Sequence, residues 1–188
     1  MKRLAVYCGS SMGSAPHYAE RARVLGETMA ARGVDLVYGG GHRGLMGVVA
    51  DAVLAGGGKA YGVIPRALVD LEVAHRGLTE LHVVETMHER KALMTELTDA
   101  FVAIPGGVGT LDELFEAWSW NALGYHAKPF ALLNEAGFWD EMLAFLDTTV
   151  KSGFVSQSRR DQLLVAASAD ETIDILTAAA GREAGMVW

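Results

Sequence analysis

The fold is decided by residues 100–113, which read AFVAIPGGVGTLDE. The first five are apolar, as in a parallel strand that is buried on both faces of a sheet. The Pro-Gly-Gly at residues 105–107 ends that strand, and apolar residues then recur with helical spacing over residues 110–123. A buried strand followed at once by a helix predicts one unit of an α/β sheet.

The same alternation continues on both sides of this segment. Short apolar runs predict further strands at residues 4–8, 34–38, 60–64, 81–84, 130–133 and 163–166. Helical spacing predicts helices at residues 16–32, 45–54, 87–97, 138–151 and 170–179. Residues 66–79 show neither pattern and are predicted to be irregular. We therefore predict an α/β fold, in which residues 1–188 form a single doubly wound domain with a mainly parallel central sheet.

The composition argues against several classes of protein. The chain has 188 residues, of which 16 are Lys or Arg and 23 are Asp or Glu, with a net charge of −7. A broad nucleic-acid surface needs many cations to neutralise phosphates, so nucleic acid is not an expected partner. No apolar run approaches the roughly 20 residues of a bilayer span, so no membrane partner is expected either. The one cysteine, Cys8, can form no intrachain disulfide, and we therefore expect a cytoplasmic location.

The loop between this strand and its helix has the composition of a phosphate site. Gly106, Gly107 and Gly109 let the backbone turn sharply and approach a ligand closely. Free N–H groups at the start of the helix then form a nest for an anion, and Thr110 is placed either to cap the helix or to donate its hydroxyl to a phosphate. In a doubly wound sheet, ligands bind beyond the carboxyl ends of the strands, where this loop lies. The alternative is a plain strand-to-helix turn in which Glu113 is favoured by the helix dipole.

A second glycine-rich turn, at residues 39–44, fits the GxGxxG pattern of dinucleotide sites. Such sites also need an acid at the end of the next strand to hold the ribose, and residues 62–65, Gly-Val-Ile-Pro, supply none. We therefore interpret the turn as part of the wall of a shared pocket. The histidines lack the HxxxH and HExxH spacings of metal sites, so no metal is expected. Cys8 is interpreted as a buried thiol rather than a nucleophile.

Two further sets of charged residues have more than one interpretation. Arg90 and Lys91 stand near the start of a predicted helix, where the helix dipole disfavours cations unless an anion is bound nearby. The alternative for both is a solvated charged turn. Glu72 lies in an irregular acidic stretch that by itself is typical of a surface loop.

Together these motifs resemble the LOG (Lonely guy) family, the cytokinin riboside 5′-monophosphate phosphoribohydrolases that were long mislabelled as lysine decarboxylases. The resemblance is carried by PGGxGTxxE at residues 105–113 and by Met-His-x-Arg-Lys at residues 87–91. Supporting motifs are CGSS at residues 8–11, VYGGG at 37–41, GLMG at 44–47 and GVIP at 62–65. The resemblance runs from about residue 4 to about residue 155.

The resemblance implies a Rossmann-like fold and a homodimer with active sites at the interface. It implies an enzyme that releases the base from a purine nucleoside 5′-monophosphate, either AMP or its N6-modified relatives. No cofactor is expected. Arg90 and Glu113 match the catalytic pair of the family. Ser119 stands where the family often has Thr, and Asp112 where Glu is commoner. The residues that match substrate-binding positions are Glu72, Lys91, Gly106, Gly107, Val108, Gly109, Thr110, Leu111, Asp112 and Ser119.

The chemistry of that reaction suits these residue types. Cleavage of an N-glycosidic bond passes through an oxocarbenium-like sugar, so a carboxylate near C1′ stabilises developing positive charge or orients a water. We assign this role to Glu113. Arg90 is expected to position the nucleotide and to favour the charge that builds on the leaving base. The glycine nest anchors the 5′-phosphate, which supplies binding energy and orientation.

Two other functions compete with this one. A nucleotide carrier or a molybdenum-cofactor-type carrier on the same fold would share the glycine nest, so the nest does not separate carrier from enzyme. The pairing of Arg90 with Glu113 favours the hydrolase. Lysine decarboxylation would need a lysine that forms a Schiff base with pyridoxal phosphate. No lysine of the sequence stands in a recognisable setting for it: Lys2, Lys59, Lys91, Lys128 and Lys151.

Overall fold

Seven parallel strands form the central sheet of the computed structural model, which describes residues 1–70 and 73–183. The strands are β1 (Arg3–Tyr7), β2 (Asp35–Tyr38), β3 (Ala60–Pro65), β4 (Glu80–Val84), β5 (Ala100–Ala103), β6 (Phe130–Leu133) and β7 (Leu163–Ala166). Their order across the sheet is β4-β3-β2-β1-β5-β6-β7, and each neighbouring pair is parallel. The predicted doubly wound α/β fold is confirmed.

Helices connect the strands and cover both faces of the sheet. They are α1 (Pro16–Ala31), α2 (Gly44–Ala55), α3 (Arg66–Asp70), α4 (Met87–Leu97), α5 (Val108–Ala122), α6 (Asp140–Lys151), α7 (Gln157–Asp161) and α8 (Ala169–Glu183). The core residues of α1, α2 and α8 pack on one face, and those of α4, α5 and α6 pack on the other. In the part of the chain that the structure describes, none of the helices has the length and apolar character of a membrane span.

After Arg3 and Asp35, which begin β1 and β2, the residues of these central strands are apolar because both faces of the sheet are covered. In β1, Leu4 and Val6 belong to the core cluster under α1, α2 and α8. Ala5 and Tyr7, which point to the other face, belong to the cluster under α4, α5 and α6. An apolar run without alternation is therefore the correct sequence signal for these strands.

The sequence prediction misses two short helices. Residues 66–70, predicted to be irregular, form α3 directly after β3, so that prediction is wrong at its start. The second missed helix is α7, which begins where the side chain of Ser156 accepts a hydrogen bond from the backbone N–H of Arg159. Each helix has five residues, which is too short for helical periodicity to show in a sequence.

The loops that build the site meet where β1 and β5 lie side by side and the strand order reverses. The N–H of Gly9 donates to the carbonyl of Pro105 at 3.1 Å, and the carbonyl of Gly9 accepts from the N–H of Met46 at 3.4 Å. Gly44 has φ +60°, and a Cβ on it would lie 2.3 Å from the carbonyl carbon of Ser10. The loops after β1 and β5 and the start of α2 are thus packed backbone to backbone.

Candidate active site

A cavity of about 510 Å³ opens at this edge of the sheet. Its walls come from the loops after β1, β2 and β5, from the first turns of α2 and α4 and the first two turns of α5, and from the segment that contains the end of β3, α3 and Val73. Gly39 and Gly41 line it, which confirms that the GxGxxG turn contributes to a shared pocket. The predicted site residues that line it are Arg90, Gly107, Val108, Gly109, Thr110 and Glu113.

The N-terminus of α5 forms part of the cavity wall. Gly107 is the N-cap and the helix begins at Val108. The first N–H groups of a helix have no partner within it, and together with the helix dipole they attract an anion. Thr110 therefore lies inside the helix, and the prediction that it caps the helix is wrong. Its Oγ1 packs so closely on Gly106 that a Cβ there would lie 2.0 Å away, which explains the glycine.

Arg90 and Glu113 form a buried ion pair in the wall of the cavity. Arg90 Nη1 lies 2.9 Å from Glu113 Oε1, and each side chain is only 10% exposed. Arg90 Nε also donates to the carbonyl of Val63 at 3.1 Å. The pairing joins the start of α4 to the second turn of α5, as the resemblance to a catalytic pair implies. The alternative of a solvated charged turn for Arg90 is wrong.

Burial raises the pKa of Glu113 above its ordinary value, and the neighbouring Arg90 opposes but does not cancel that effect. The carboxyl group is therefore more basic than an exposed glutamate, which suits a group that meets positive charge or a proton during a reaction. Cys8, in the same wall, is also buried, and burial raises the pKa of its thiol. This agrees with the interpretation of Cys8 as a neutral buried thiol.

Gly39 provides the space that the Arg90 guanidinium occupies. A Cβ on Gly39 would lie 1.9 Å from Arg90 Nη2 and 2.6 Å from the terminal methyl of Met46. The methionine can move aside, whereas the guanidinium is held by Val63 and Glu113.

We expect Gly39→Ala to displace Arg90. If the cavity is an active site, kcat should fall about 100-fold, the cost that displacement of a catalytic group by about 1 Å can have. Overpacking should also lower the free energy of unfolding by about 1–3 kcal/mol. Steady-state kinetics and urea unfolding measure both effects. The control is Gly181→Ala, because a Cβ on Gly181 would meet no atom within 4 Å. Unchanged kcat in Gly39→Ala would show that Arg90 needs no such space.

Apolar side chains form another part of the cavity wall. This apolar wall is formed by Met46, Ile64, Leu68 and Val73. The segment that carries Val73 returns over the glycine turn, where Val73 O accepts from the N–H of His42 at 3.0 Å. A flat apolar base fits such a wall. The predicted substrate residue Glu72 lies outside the described residues.

Other predicted substrate residues lie outside the cavity wall. Lys91 Nζ is 2.7 Å from Asp112 Oδ2 and also pairs with Glu116, so it ties α4 to α5. Burial lowers the pKa of Lys91, but hydrogen bonds to Asp112 and Glu116 outweigh burial and hold that pKa above its ordinary value. Leu111 packs against the core, and Ser119 is exposed on α5. Contact of these residues with substrate stays a prediction.

Several wall residues lie within the glycine-rich motifs of the sequence but were not predicted individually as site residues. Ser10, Ser11, Arg43 and Met46 also line the cavity. The signal that could have found them is their place in the chain, since each follows the end of β1 or β2 at the edge where ligands bind. Among the described residues, the charged ones in the wall are Arg43, Arg90 and Glu113, and none of the wall residues is a lysine. Within residues 1–70 and 73–183, potential metal ligands do not gather in groups of three or more.

Known proteins resemble this chain in sequence and in structure. Residues 46–176 match the family model described as "Possible lysine decarboxylase". The cytokinin riboside 5′-monophosphate phosphoribohydrolase LOG of Oryza sativa subsp. japonica is 45% identical over 188 residues, which cover 100% of this chain and 78% of that protein. A cytokinin riboside 5′-monophosphate phosphoribohydrolase of Arabidopsis thaliana is 45% identical over 172 residues, which cover 92% of this chain and 81% of that protein.

The solved structures extend the likeness to the fold. The Moco carrier protein of Chlamydomonas reinhardtii superposes with a TM-score of 0.72 at 22% identity, over 96% of this chain and 98% of that chain. At this level of identity the likeness shows a shared fold. The two phosphoribohydrolases, at 45% identity over most of their length, carry the more specific information.

Proposed function

Since the chain belongs to the LOG family of cytokinin riboside 5′-monophosphate phosphoribohydrolases, we propose that it hydrolyses the N-glycosidic bond of purine nucleoside 5′-monophosphates. The substrates are AMP or its N6-modified relatives, and the products are the free base and ribose 5-phosphate. The buried Arg90–Glu113 pair in the wall of a cavity that also holds a helix N-terminus is the observation that carries this proposal.

The 5′-phosphate binds at the start of α5. Val108, Gly109 and Thr110 line the cavity, and their backbone N–H groups belong to the positive end of that helix. Glu113 stands one turn further along the same helix. A phosphate on the first turn therefore holds the ribose beside the carboxylate. The base then lies against the apolar wall.

Glu113 and Arg90 act on the bond between C1′ and the base. As that bond breaks, positive charge develops on the sugar, and the carboxylate of Glu113 stabilises it or orients the attacking water. The water adds its oxygen to C1′, and a proton reaches the leaving base. Arg90 favours the ionised form of Glu113 and holds it in place, and its Nη2, packed against Gly39, is the nitrogen left to meet the nucleotide.

Incubation of the protein with AMP and with N6-isopentenyladenosine monophosphate tests the function. We expect free base and ribose 5-phosphate in equal amounts from at least one of the two, measured by chromatography. Binding without turnover would favour the carrier alternative. Release of carbon dioxide from lysine would instead support the decarboxylase, although no described residue of the cavity wall could form the Schiff base.

We also propose that two copies of the chain associate through α4 and the end of α5. A groove between these helices is lined by Ala92, Trp120 and Tyr125, and the side chains of Leu123 and Tyr125 are 71% and 76% exposed. Apolar side chains exposed in one patch are typical of an interface. The face adjoins Arg90 on α4, which is in keeping with an active site at a dimer interface.

We expect Leu123→Asp to convert a dimer into a monomer, because an aspartate would be buried unpaired at the interface. Light scattering coupled to size exclusion measures the mass. Val24→Asp is the matched control, since Val24 is 38% exposed and lies on α1, which covers the opposite face of the sheet. A wild-type protein with the mass of one chain would contradict the proposal.

We place the protein in the cytoplasm, in keeping with a single buried cysteine that needs no partner.

A further inference from the structure

We propose that Arg43 binds the 5′-phosphate of the substrate and is the residue that sets the affinity for phosphorylated substrates. This inference rests on the proposed function and assigns a role to a residue that the family motifs do not include. Arg43 is exposed, is the N-cap of α2, and lines the same cavity as the first turn of α5.

The charges of the cavity wall favour Arg43 as the cation that meets a phosphate. Among the described residues, that wall holds two cations, Arg43 and Arg90, and one anion, Glu113. Arg90 and Glu113 neutralise each other at 2.9 Å. A phosphate monoester carries about −1.5 to −2 charges at neutral pH, and the chain itself has a net charge of −7. Among the described wall residues, the cation that remains to attract the phosphate is therefore Arg43.

The side chain of Arg43 is available for this contact. Across residues 1–70 and 73–183, no ion pair and no side-chain hydrogen bond of Arg43 is formed within the protein. By contrast, Arg90 already uses Nε on the carbonyl of Val63 and Nη1 on Glu113. An arginine in a cavity wall whose side-chain donors have no partner among residues 1–70 and 73–183 can form a bidentate contact with a phosphate.

The backbone places Arg43 beside the phosphate end of the cavity. Gly9 bridges the two helix starts, because its N–H donates to Pro105 just before α5 and its carbonyl accepts from Met46 in the first turn of α2. Gly44, next to Arg43, allows the loop after β1 to pack directly against α2. The N-termini of α2 and α5 therefore share one edge of the cavity. A phosphate on α5 faces the residue that begins α2.

Arg43→Ala tests this inference. We expect the KM for AMP to rise about tenfold, the value of one hydrogen bond to a charged group, while kcat stays the same. The Kd of ribose 5-phosphate, measured by calorimetry, should rise by the same factor and that of adenine should not change. Arg43→Lys should recover part of the affinity, because it keeps the charge without the planar fork. Lys59→Ala, which removes one exposed positive charge at the opposite edge of the sheet, is the control.

The outcomes separate this inference from the proposed function. If the wild type releases no base from AMP, the proposed function fails, while the Kd of ribose 5-phosphate still decides the role of Arg43. If the wild type is active and Arg43→Ala binds ribose 5-phosphate with unchanged Kd, the inference about Arg43 is wrong. A change in the Kd of adenine alone would place Arg43 at the base and overturn the inference as well.

Discussion

Glu113→Gln should lower kcat for AMP about 100-fold to 10,000-fold, the range for loss of a positioned acid–base group. The amide keeps the size of the side chain and its hydrogen bond to Arg90, but it cannot carry the negative charge that faces the sugar. Because the proposed phosphate site lies a full turn away on α5, KM should change little. Steady-state kinetics of adenine release measure both values.

Glu141→Gln is the control for this experiment, because Glu141 is an exposed carboxylate on α6 outside the cavity. It removes the same charge from the chain without touching the site. Wild-type kcat in Glu113→Gln would remove Glu113 from the mechanism. A rise in KM with unchanged kcat would make Glu113 a binding group only.

Arg90→Met should destabilise the fold as well as abolish most of the activity. Loss of one partner from a buried ion pair costs about 3–5 kcal/mol, because the other charge stays buried without compensation. Here the uncompensated group is Glu113, whose side chain is 10% exposed. Urea unfolding at pH 8 measures the loss in the free energy of unfolding.

The pH dependence of that loss identifies its cause. Burial raises the pKa of Glu113, and removal of Arg90 takes away the main effect that lowers it. The folded variant then binds a proton more tightly than the unfolded chain, whose glutamate pKa is about 4.3. Stability is therefore highest when Glu113 is protonated, and it falls as pH rises through the folded pKa. We expect Arg90→Met to lose more stability at pH 8 than at pH 5.

The double variant Arg90→Met/Glu113→Gln completes the test. Since it has no carboxylate at residue 113, it should be more stable than Arg90→Met at pH 8 and should lack the additional dependence on pH. Removal of both partners of a buried pair costs much less than removal of one. Equal loss in the single and double variants would mean that the ion pair does not hold these two helices together.

The fold could be predicted because its signals are local. The apolar strand at residues 100–104 and the helical spacing after it needed no knowledge of distant contacts, and β6 and β7 lie where the apolar runs predict them. Secondary structure could not be predicted from the sequence where the helices are short. α3 spans one turn after β3 and has no period to detect.

The site was predictable only in part because it depends on which loops meet. The composition of the glycine loop before Glu113 is enough to predict an anion site. Arg90 by itself is as typical of a surface turn, and its pairing with Glu113 across two helices follows from tertiary structure. Arg43 lies in the glycine-rich turn at residues 39–44 but matches no ligand-binding position of a motif, and its proposed role follows from the ion pair that neutralises the other charges of the cavity wall.

A crystal structure of Glu113→Gln with AMP tests the central claim most directly. The account predicts that the phosphate accepts hydrogen bonds from the N–H groups of residues 108–110. It also predicts that C1′ lies against the side chain of residue 113, with the base on the wall of Ile64 and Leu68. A nucleotide bound with its phosphate away from α5, or with its sugar out of reach of residues 90 and 113, would contradict the account.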